Sequence, residues 1–185
     1  MKERHADNRG AALILDSIES PLGRIYLLAE GDAIVYAGFA HPLHEKPRTP
    51  SILRKMLDTA GGSKLQEGQD SPTGVLRTAA AELNEYFAGR RREFKVPLSL
   101  YGTPFQREIW QRLLEVPCGN TVTYGELAAA AGYPRSVRAA GTAVGMNPLS
   151  IIVPCHRVLP AAGGVGNYGG GPERKKELLR IEGAI

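Results

Sequence analysis

Three apolar runs separated by turn residues dominate the first forty positions of the chain. The runs span Ala12–Ile18, Ile25–Ala29 and Ile34–Phe39, and each is short and rich in residues that favour strands. Ser20–Gly23 and Gly31–Asp32 fall between them and contain the residue types from which tight turns are built. The pattern predicts three strands in an antiparallel meander.

A polar segment and one amphipathic helix complete the first half. Residues 40–73 are rich in Pro, Gly and charge, which predicts a long loop with room for one short helix at Ile52–Leu57. Apolar residues recur with helical spacing across Val75–Phe87, so a helix with one buried face is predicted there. We interpret the triplet Arg90–Arg92 after it as a solvated helix end favoured by the helix dipole, rather than as a nucleic-acid patch.

Signals that start helices become frequent after residue 100. Thr103–Gln106 and Thr123–Glu126 each place Thr three residues before Gln or Glu, which is the arrangement of a capping box. A third helix is predicted at Ser136–Met146 and a last one from Pro172 onward. Two short helices therefore flank the turn Gly132–Pro134, which is the outline of a helix-turn-helix.

The second helix of that motif consists mainly of small side chains. Arg138 is its one long projecting group, and Ala139, Ala140 and Gly141 follow it. Small residues permit close approach to another surface. That surface is either a neighbouring helix or the backbone of DNA, and the composition favours neither.

The apolar run Ile151–Leu159 contains one cysteine, Cys155, between a proline and a histidine. Pro154 fixes one of its own dihedral angles and disfavours helical backbone at the residue before it, so Cys155 is predicted on a stiff turn at the end of a buried strand. A thiol acts as a nucleophile in its thiolate form, and the adjacent His156 and Arg157 could lower its pKa. The tripeptide alone fits a buried, inert cysteine equally well.

Two features near the C-terminus bear on that site. Gly163–Gly171 holds too much glycine for regular structure and matches neither a P-loop nor a dinucleotide-binding motif. It is either a flexible loop or a wall that a flat ligand can approach closely. Glu182 lies near the end of the last helix, where the dipole disfavours an acid, so it requires solvent or a cationic or histidine partner.

Composition and charge narrow the class of protein. The 185-residue chain has a net charge of +4 and a pI of about 9.2, which permits a nucleic-acid partner without requiring one. Cys118 and Cys155 are too few for a disulfide framework, which favours a reducing cytoplasm. No secretory signal or membrane span is predicted, because the N-terminus is charged and every apolar run is short. His41 and His44 lie in a polar stretch without cysteine, so no metal site is predicted.

Pro154–Val158 resembles the active-site signature of the O6-alkylguanine-DNA alkyltransferases, also called methylated-DNA–protein-cysteine methyltransferases. The likeness continues in the same order through residues 102–183, and the first half resembles the family's N-terminal domain less distinctively. The matching positions are Ser20–Gly23, Gly102–Gln106, Trp110, Thr123–Leu127, Arg138, Ala139, Gly141, Asn147, Pro148, Asn167, Tyr168, Lys175, Leu178 and Leu179.

The resemblance implies an α/β two-domain fold and a function in DNA repair. Residues 1–98 would form a ribonuclease H-like domain, a small β-sheet with a helix. Residues 99–185 would form a helical, winged-helix-like domain with the helix-turn-helix. The implied reaction is irreversible, single-turnover transfer of an alkyl group from O6-alkylguanine, and from O4-alkylthymine, to Cys155 after the base is flipped. The implied partner is double-stranded DNA, bound through its minor groove by a cytoplasmic monomer. No cofactor and no metal are implied.

The resemblance also implies catalytic roles for five residues. Cys155 would be the nucleophile and alkyl acceptor, His156 would take its proton through a water molecule, and Glu182 would orient the imidazole. Asn147 would brace the turns around the cysteine. Tyr124 would support the flipped nucleotide and donate a proton or hydrogen bond to the leaving guanine.

Contacts with DNA and with the flipped base are implied as well. Arg138 would fill the space that the base vacates, and the backbone carbonyls of Cys155 and Val158 would read the guanine edge. The other DNA-facing residues would be Thr123, Tyr124, Ser136, Ala139, Ala140 and Gly141. The base pocket would be completed by Tyr168, Gly169 and Gly170, with a backbone N–H near O6.

The sequence departs from the family pattern at two places, and three other functions fit less of it. Cys118–Asn120 stands where Tyr-Gly-Glu is frequent, and Gly169 stands where Ser is frequent. Cys118 is expected to serve packing, since no His or Arg adjoins it.

A cysteine hydrolase would need an oxyanion hole, and none is evident in the sequence. A helix-turn-helix regulator without chemistry would leave the Pro-Cys-His-Arg turn unused. A non-catalytic lesion sensor would normally lack Cys155.

Overall fold

The computed structural model describes residues 12–40, 65–67 and 74–185, together with positions 51, 54, 55 and 58. Within the short helix predicted at 52–57, Arg54 and Lys55 are helical, and its other positions lie outside the described residues. His41 and His44 also lie outside them. No helix in the described part of the chain is long and apolar enough to cross a membrane.

The predicted antiparallel meander is confirmed. Strands β1 (Leu13–Ile18), β2 (Ile25–Glu30) and β3 (Ala33–Gly38) pair in sequence order, with a bulge in the pairing of β2 with β3 at Leu28 and Ala29. The turn between β1 and β2 closes through the bond from the Gly23 N–H to the Ser20 carbonyl, 3.0 Å. Gly23 has φ +104°, a backbone region that glycine adopts without steric cost.

A fourth strand lies in the segment predicted to be loop. Strand β4 (Leu65–Glu67) pairs in parallel with β1, which gives the sheet order β3-β2-β1-β4. The loop prediction is therefore wrong at these three residues. A strand this short forms through backbone hydrogen bonds with a neighbour that is distant in sequence, and a polar segment gives no local sign of it.

Five helices of the described chain follow. Helix α1 (Gly74–Phe87) confirms the helix predicted at 75–87 and contacts β2 and β3. The others are α2 (Pro104–Leu114), α3 (Tyr124–Ala130), α4 (Val137–Gly145) and α5 (Pro172–Glu182). Helices α3 and α4 form the predicted helix-turn-helix, and both capping boxes are present at Thr103 and Thr123.

One apolar cluster runs through both halves of the chain and includes residues of the sheet and of the helices from α1 to α5. Trp110 of α2 is fully buried in it, and its indole N–H donates to the Ala143 carbonyl of α4, 2.9 Å. A Cβ at Gly102 would lie 2.6 Å from the Trp110 ring, so only glycine fits beside it. The helix-turn-helix is therefore fixed to the core through α2.

Backbone hydrogen bonds at the edge of β3 join the sheet to the C-terminal half of the chain, which contains Cys155. The Ala37 N–H donates to the Pro148 carbonyl at 2.9 Å, and the Ser150 N–H donates to the Ala37 carbonyl at 2.8 Å. Ile34, three residues earlier in β3, makes the same kind of pair with Pro97 and Ser99. The segment that leads into Cys155 is thus held by the N-terminal sheet.

The buried strand predicted before Cys155 is instead a compact turn. Ile151 has φ +73°, which is rare for a β-branched residue. The N–H groups of Ile152, Val153 and Cys155 donate to carbonyls two to four residues earlier. Buried backbone groups need partners, and this segment finds them locally instead of in a sheet.

Candidate functional site

Cys155 begins a single 3₁₀ turn, Cys155–Arg157, and is 7% exposed. The Asn147 side-chain amide donates to its Sγ at 3.1 Å and to the Val153 carbonyl at 2.8 Å. The Asn147 carbonyl oxygen accepts from the Leu149 N–H at 3.0 Å. One buried side chain therefore joins the turn after α4 to the cysteine itself.

The surroundings of Cys155 keep it a thiol at rest. Burial raises its pKa, while the hydrogen bond from Asn147 and the positive charge of Lys175 lower it to a smaller extent. Lys175 is fully buried, and its Nζ donates to the Val158 carbonyl at 2.6 Å. Burial lowers the pKa of Lys175 to about 8, so most of it is still cationic at neutral pH. Cys155 therefore needs a base but already has one cation close by.

His156 is fully buried, and Glu182 fixes the tautomer of its ring. Its Nε2 lies 2.8 Å from Glu182 Oε1. An ionised carboxylate only accepts hydrogen bonds, so Nε2 carries the hydrogen and, in the neutral ring, Nδ1 holds a lone pair. Among the described residues none makes a hydrogen bond to Nδ1. Burial, aided by the charges of Arg157 and Lys175, lowers the His156 pKa against the opposing effect of Glu182, which favours the neutral ring as a base.

Glu182 is the centre of the hydrogen-bond network. Arg157 donates to both of its oxygens, from Nε at 2.8 Å and from Nη2 at 2.9 Å. The Tyr86 hydroxyl donates to Oε1 at 2.8 Å, and the Gly119 N–H donates to Oε2 at 3.3 Å. Burial alone would raise the Glu182 pKa, but the hydrogen bonds and charges of His156 and Arg157 outweigh it and hold the pKa far below its ordinary value. Of the two alternatives open for this acid, solvent or a cationic or histidine partner, the structure shows the second, and Glu182 has both kinds of partner.

Three members of this network were not assigned from the sequence. Arg157 adjoins the cysteine motif, so its position was a signal, but its carboxylate partner lies 25 residues away. Tyr86 reads as one more position in the buried stripe of α1, and nothing local marks its hydroxyl as functional. Gly119 has φ +87°, and a Cβ there would lie 3.1 Å from the Glu182 carbonyl oxygen.

Cys118 has charged neighbours that the sequence did not place beside it. Burial raises its pKa, and so does the negative charge of Glu182, whereas Arg157 and Arg92 lower it. No His or Arg adjoins Cys118 in the sequence, but the fold brings Arg157 and Arg92 near it, and the raised pKa agrees with the expected packing role. In the arginine triplet interpreted as a solvated helix end, Arg90 and Arg92 are exposed, whereas Arg91 is half-buried and pairs with Glu85 at 2.8 Å.

Helix α4 presents two different faces. Arg138 and Ala139 are exposed, and Ser136 stands at the helix start without a capping bond from its side chain. Ala140 is fully buried, so it belongs to the packing of the core and not to the DNA-facing set in which it was predicted. Gly141 is half-buried beside the ring of Tyr124. Close packing of the small residues is thus shown for Ala140, and the approach of the exposed face to DNA stays a prediction.

A short parallel pairing brings Tyr124 to the cysteine. Strands β5 (Val122–Thr123) and β6 (Val158–Leu159) connect the start of α3 to the residues directly after the 3₁₀ turn. Tyr124 is half-buried there, and burial together with the charge of Cys155 raises its pKa. The Thr123 hydroxyl caps α3 by accepting from the Glu126 N–H, 3.2 Å.

The glycine-rich segment forms the other side of the site. The Tyr168 hydroxyl is buried, and burial followed by the charge of Cys155 raises its pKa well above the ordinary value, against a smaller opposing effect of Ser150. A Cβ at Gly170 would lie 2.9 Å from the rings of Phe39 and Tyr168, whereas one at Gly169 would meet open space. Arg174 donates to the Gly170 carbonyl at 2.9 Å and its guanidinium lies 4.6 Å from the centre of the Phe39 ring.

The two carbonyls predicted to read the guanine edge already accept hydrogen bonds. Val158 receives one from Lys175, and Cys155 receives one from the Val158 N–H. A carbonyl oxygen has two lone pairs, so each retains one acceptor position.

Two family models match the chain. The ribonuclease-like domain of 6-O-methylguanine DNA methyltransferase matches residues 13–100, and the DNA-binding domain of the same family matches residues 104–184. The methylated-DNA–protein-cysteine methyltransferase of Mycobacterium tuberculosis H37Rv is 39% identical over 166 residues, 90% of each chain. That of Methanosarcina acetivorans is 37% identical over 169 residues, 90% of this chain and 96% of the relative.

Solved structures agree with this match. Mycobacterium tuberculosis OGT in complex with DNA has a TM-score of 0.75 at 37% identity, covering 92% of this chain and 93% of that chain. The O6-methylguanine-DNA methyltransferase of Pyrococcus kodakaraensis has a TM-score of 0.62 at 26% identity, covering 92% and 99%. With both domains matched in order and relatives above 30% identity along most of its length, the chain belongs to the methylated-DNA–protein-cysteine methyltransferase family.

Proposed function

We propose that this protein repairs alkylated DNA by transferring the alkyl group from O6 of guanine to Cys155, once per protein molecule. O6-methylguanine in duplex DNA is the expected substrate. O4-alkylthymine is proposed as a second, and both are bound by a monomer. The cytoplasmic location expected from the two cysteines stays a prediction.

The proposed reaction is a displacement at the alkyl carbon. His156 takes the thiol proton through a water molecule, and the sulfur attacks as the bond between O6 and the alkyl carbon breaks. The electron pair of that bond goes to the guanine, where Tyr124 supplies a proton or hydrogen bond to the leaving base. The product is a thioether, which cellular reductants do not reverse, so the protein acts as a stoichiometric reagent.

One observation supports this proposal above the others. Cys155 adjoins a fully buried histidine whose Nε2 is committed to Glu182 and whose Nδ1 makes no hydrogen bond to the described residues. Burial that raises the thiol pKa and lowers the imidazole pKa provides a base beside a protonated nucleophile. An inert structural cysteine would not need this arrangement.

Base flipping is proposed to proceed through the exposed face of α4. Arg138 is the long side chain on that face, beside Ala139 and with Ser136 at the helix start. Backbone phosphates dominate contacts of this kind, so binding should be strongly salt-dependent and tolerant of sequence. Tyr168 and Gly169 would close over the extruded base.

The test is intact mass followed by peptide mapping after incubation with duplex DNA that carries one O6-methylguanine. A gain of one methyl group on the Cys155 peptide, stopping at one equivalent, supports the proposal. Cys155→Ala should bind the DNA without gaining mass, and the matched variant Cys118→Ala should still gain one methyl group. Methyl transfer to Cys155→Ala, or an unmodified wild-type protein that binds the DNA, would remove Cys155 as acceptor.

A further inference from the structure

Tyr86 connects the N-terminal half of the chain to the carboxylate of the active site. It lies in α1, 96 residues before Glu182 in the sequence, and is 1% exposed. Its ring packs against Phe94 at 5.5 Å and against Phe87 at 5.4 Å between centroids. Two aromatic neighbours therefore hold the ring, and its hydroxyl donates to Glu182.

The hydroxyl reaches the same oxygen that binds the histidine. Glu182 Oε1 accepts from Tyr86 at 2.8 Å, from His156 Nε2 at 2.8 Å and from Arg157 Nη2 at 2.9 Å. The phenol remains a neutral donor, because burial and the charge of Glu182 raise its pKa far above the physiological range. It therefore donates a hydrogen bond to Oε1 at every pH at which the reaction is measured.

We propose that Tyr86 is a positioning residue for the alkyl-transfer reaction, which sets the proton affinity of His156 by sharing the Glu182 oxygen with it. The inference rests on the proposed function, in which neutral His156 is the base. A neutral donor on Oε1 spreads the negative charge of the carboxylate and weakens its attraction for an imidazolium. Tyr86 thereby keeps more of His156 in the neutral form.

The other charged and titratable groups near this pair come from four further segments, one of which follows α1 and places Arg91 and Arg92 beside the cavity that Tyr86 and Glu182 line. Arg157 and Cys155 belong to the 3₁₀ turn, and Lys175 belongs to α5. Cys118 follows α2 and lies near both Tyr86 and Glu182. Arg157 and Lys175 are cations that already oppose protonation of His156. Tyr86 differs from them because it acts without charge and from the other half of the chain.

The test measures the single-turnover rate of methyl transfer against pH, at DNA concentrations that saturate the protein. The rate should fall at low pH as His156 becomes protonated, and we call this part of the profile the acid limb. In Tyr86→Phe we expect the midpoint of the acid limb to move upward by about half a pH unit, which is about a threefold loss of rate on that limb. The affinity for DNA should not change. A role in folding alone would lower the rate at every pH and would leave the midpoint where it is.

Tyr36→Phe is the matched control. Tyr36 is also buried, at 3% exposure, and its hydroxyl donates to the Ala40 carbonyl at 2.7 Å, in a separate apolar cluster. Its midpoint should equal that of the wild type. An unmoved midpoint in folded Tyr86→Phe, or an equal shift in Tyr36→Phe, would overturn the inference.

A second variant covers the case in which Tyr86→Phe does not fold. Site-specific 3-fluorotyrosine at position 86 keeps the shape and strengthens the donor, so the midpoint should move downward; no movement overturns the inference. His156→Gln separates this inference from the proposed function. If the acid limb persists in His156→Gln, the assignment of the base has failed; if the limb is lost there but unmoved by both changes at Tyr86, only the positioning role has failed.

Discussion

Replacing Lys175 with methionine removes a buried cation while keeping the length of the side chain. Lys175 is fully buried, and the pKa falls from 10.5 in the free side chain to about 8 in the fold. A difference of this size corresponds to about 3 kcal/mol of stability lost in keeping the charge buried at neutral pH. The Val158 carbonyl would lose a hydrogen-bond partner, which offsets about 1–3 kcal/mol of that gain. Lys175→Met should therefore be as stable as the wild type or more stable.

The same change should make the protein a slower reagent. The charge of Lys175 lowers the pKa of Cys155, and an adjacent cation commonly shifts a titrating group by about one unit or more. We expect the rate of methyl transfer to fall about tenfold near neutral pH. Rate would be measured under single-turnover conditions, and stability by urea unfolding.

The pH dependence of stability gives an independent check that the buried charge of Lys175 destabilises the fold. Below about pH 8 both the folded and the unfolded chain carry the Lys175 proton, so the whole penalty is present. Between about 8 and 10.5 the unfolded chain binds more protons, and the penalty is relieved as the pH rises. The stability advantage of Lys175→Met should therefore shrink over that range. Lys176→Met, one residue along α5, is the matched control. An unchanged transfer rate in Lys175→Met, together with an unchanged Cys155 pKa, would refute the reasoning.

Three further changes test other parts of the site. Because the Glu182 pKa is lowered in the fold, its contribution to stability is present above the ordinary value of 4.5 and is lost as the pH falls; acid unfolding of Glu182→Gln should depend less steeply on pH than that of the wild type. In Gly170→Ala the new methyl group meets Phe39, so transfer should slow several-fold, whereas Gly74→Ala, which meets open space at the start of α1, should keep the wild-type rate; equal rates would remove the steric argument. Arg138→Ala should reduce repair of duplex DNA more than reaction with the free modified base, and equal losses on both would contradict its stack-filling role.

Local rules of helix and turn formation were sufficient for most elements of the fold. Both capping boxes lie where Thr precedes Gln or Glu by three residues, because a helix start is decided by groups within one turn. The partner of Glu182 could also be expected, since an acid at the C-terminal end of α5 is unfavourable without one. The cysteine motif already contained two of the groups that bond to Glu182, His156 and Arg157.

Features that depend on distant contacts could not be predicted in the same way. An apolar run such as Ile151–Val153 is buried in either a strand or a compact turn, and the choice depends on what lies beside it. Here β3 is already hydrogen-bonded to Pro148 and Ser150, directly before the run, so the chain must turn between Ser150 and Cys155. The positive φ at Ile151 follows from that constraint and not from the local sequence.

The same distinction between local and distant contacts separates the residues that each half of the chain contributes to the site. Cys155 and His156, the proposed reacting groups, are adjacent in the sequence, so a motif indicates them. The groups that fix their protonation come from elsewhere: Glu182 from the last helix, and Tyr86 from α1. A contact across 96 residues leaves no periodic or spacing signal, because the position of Tyr86 is equally well explained by burial in the core. The N-terminal half, whose sequence resembles the family least distinctively, thus contributes directly to the charge balance of the base, and a chain without it would retain the motif but lose a donor to Glu182.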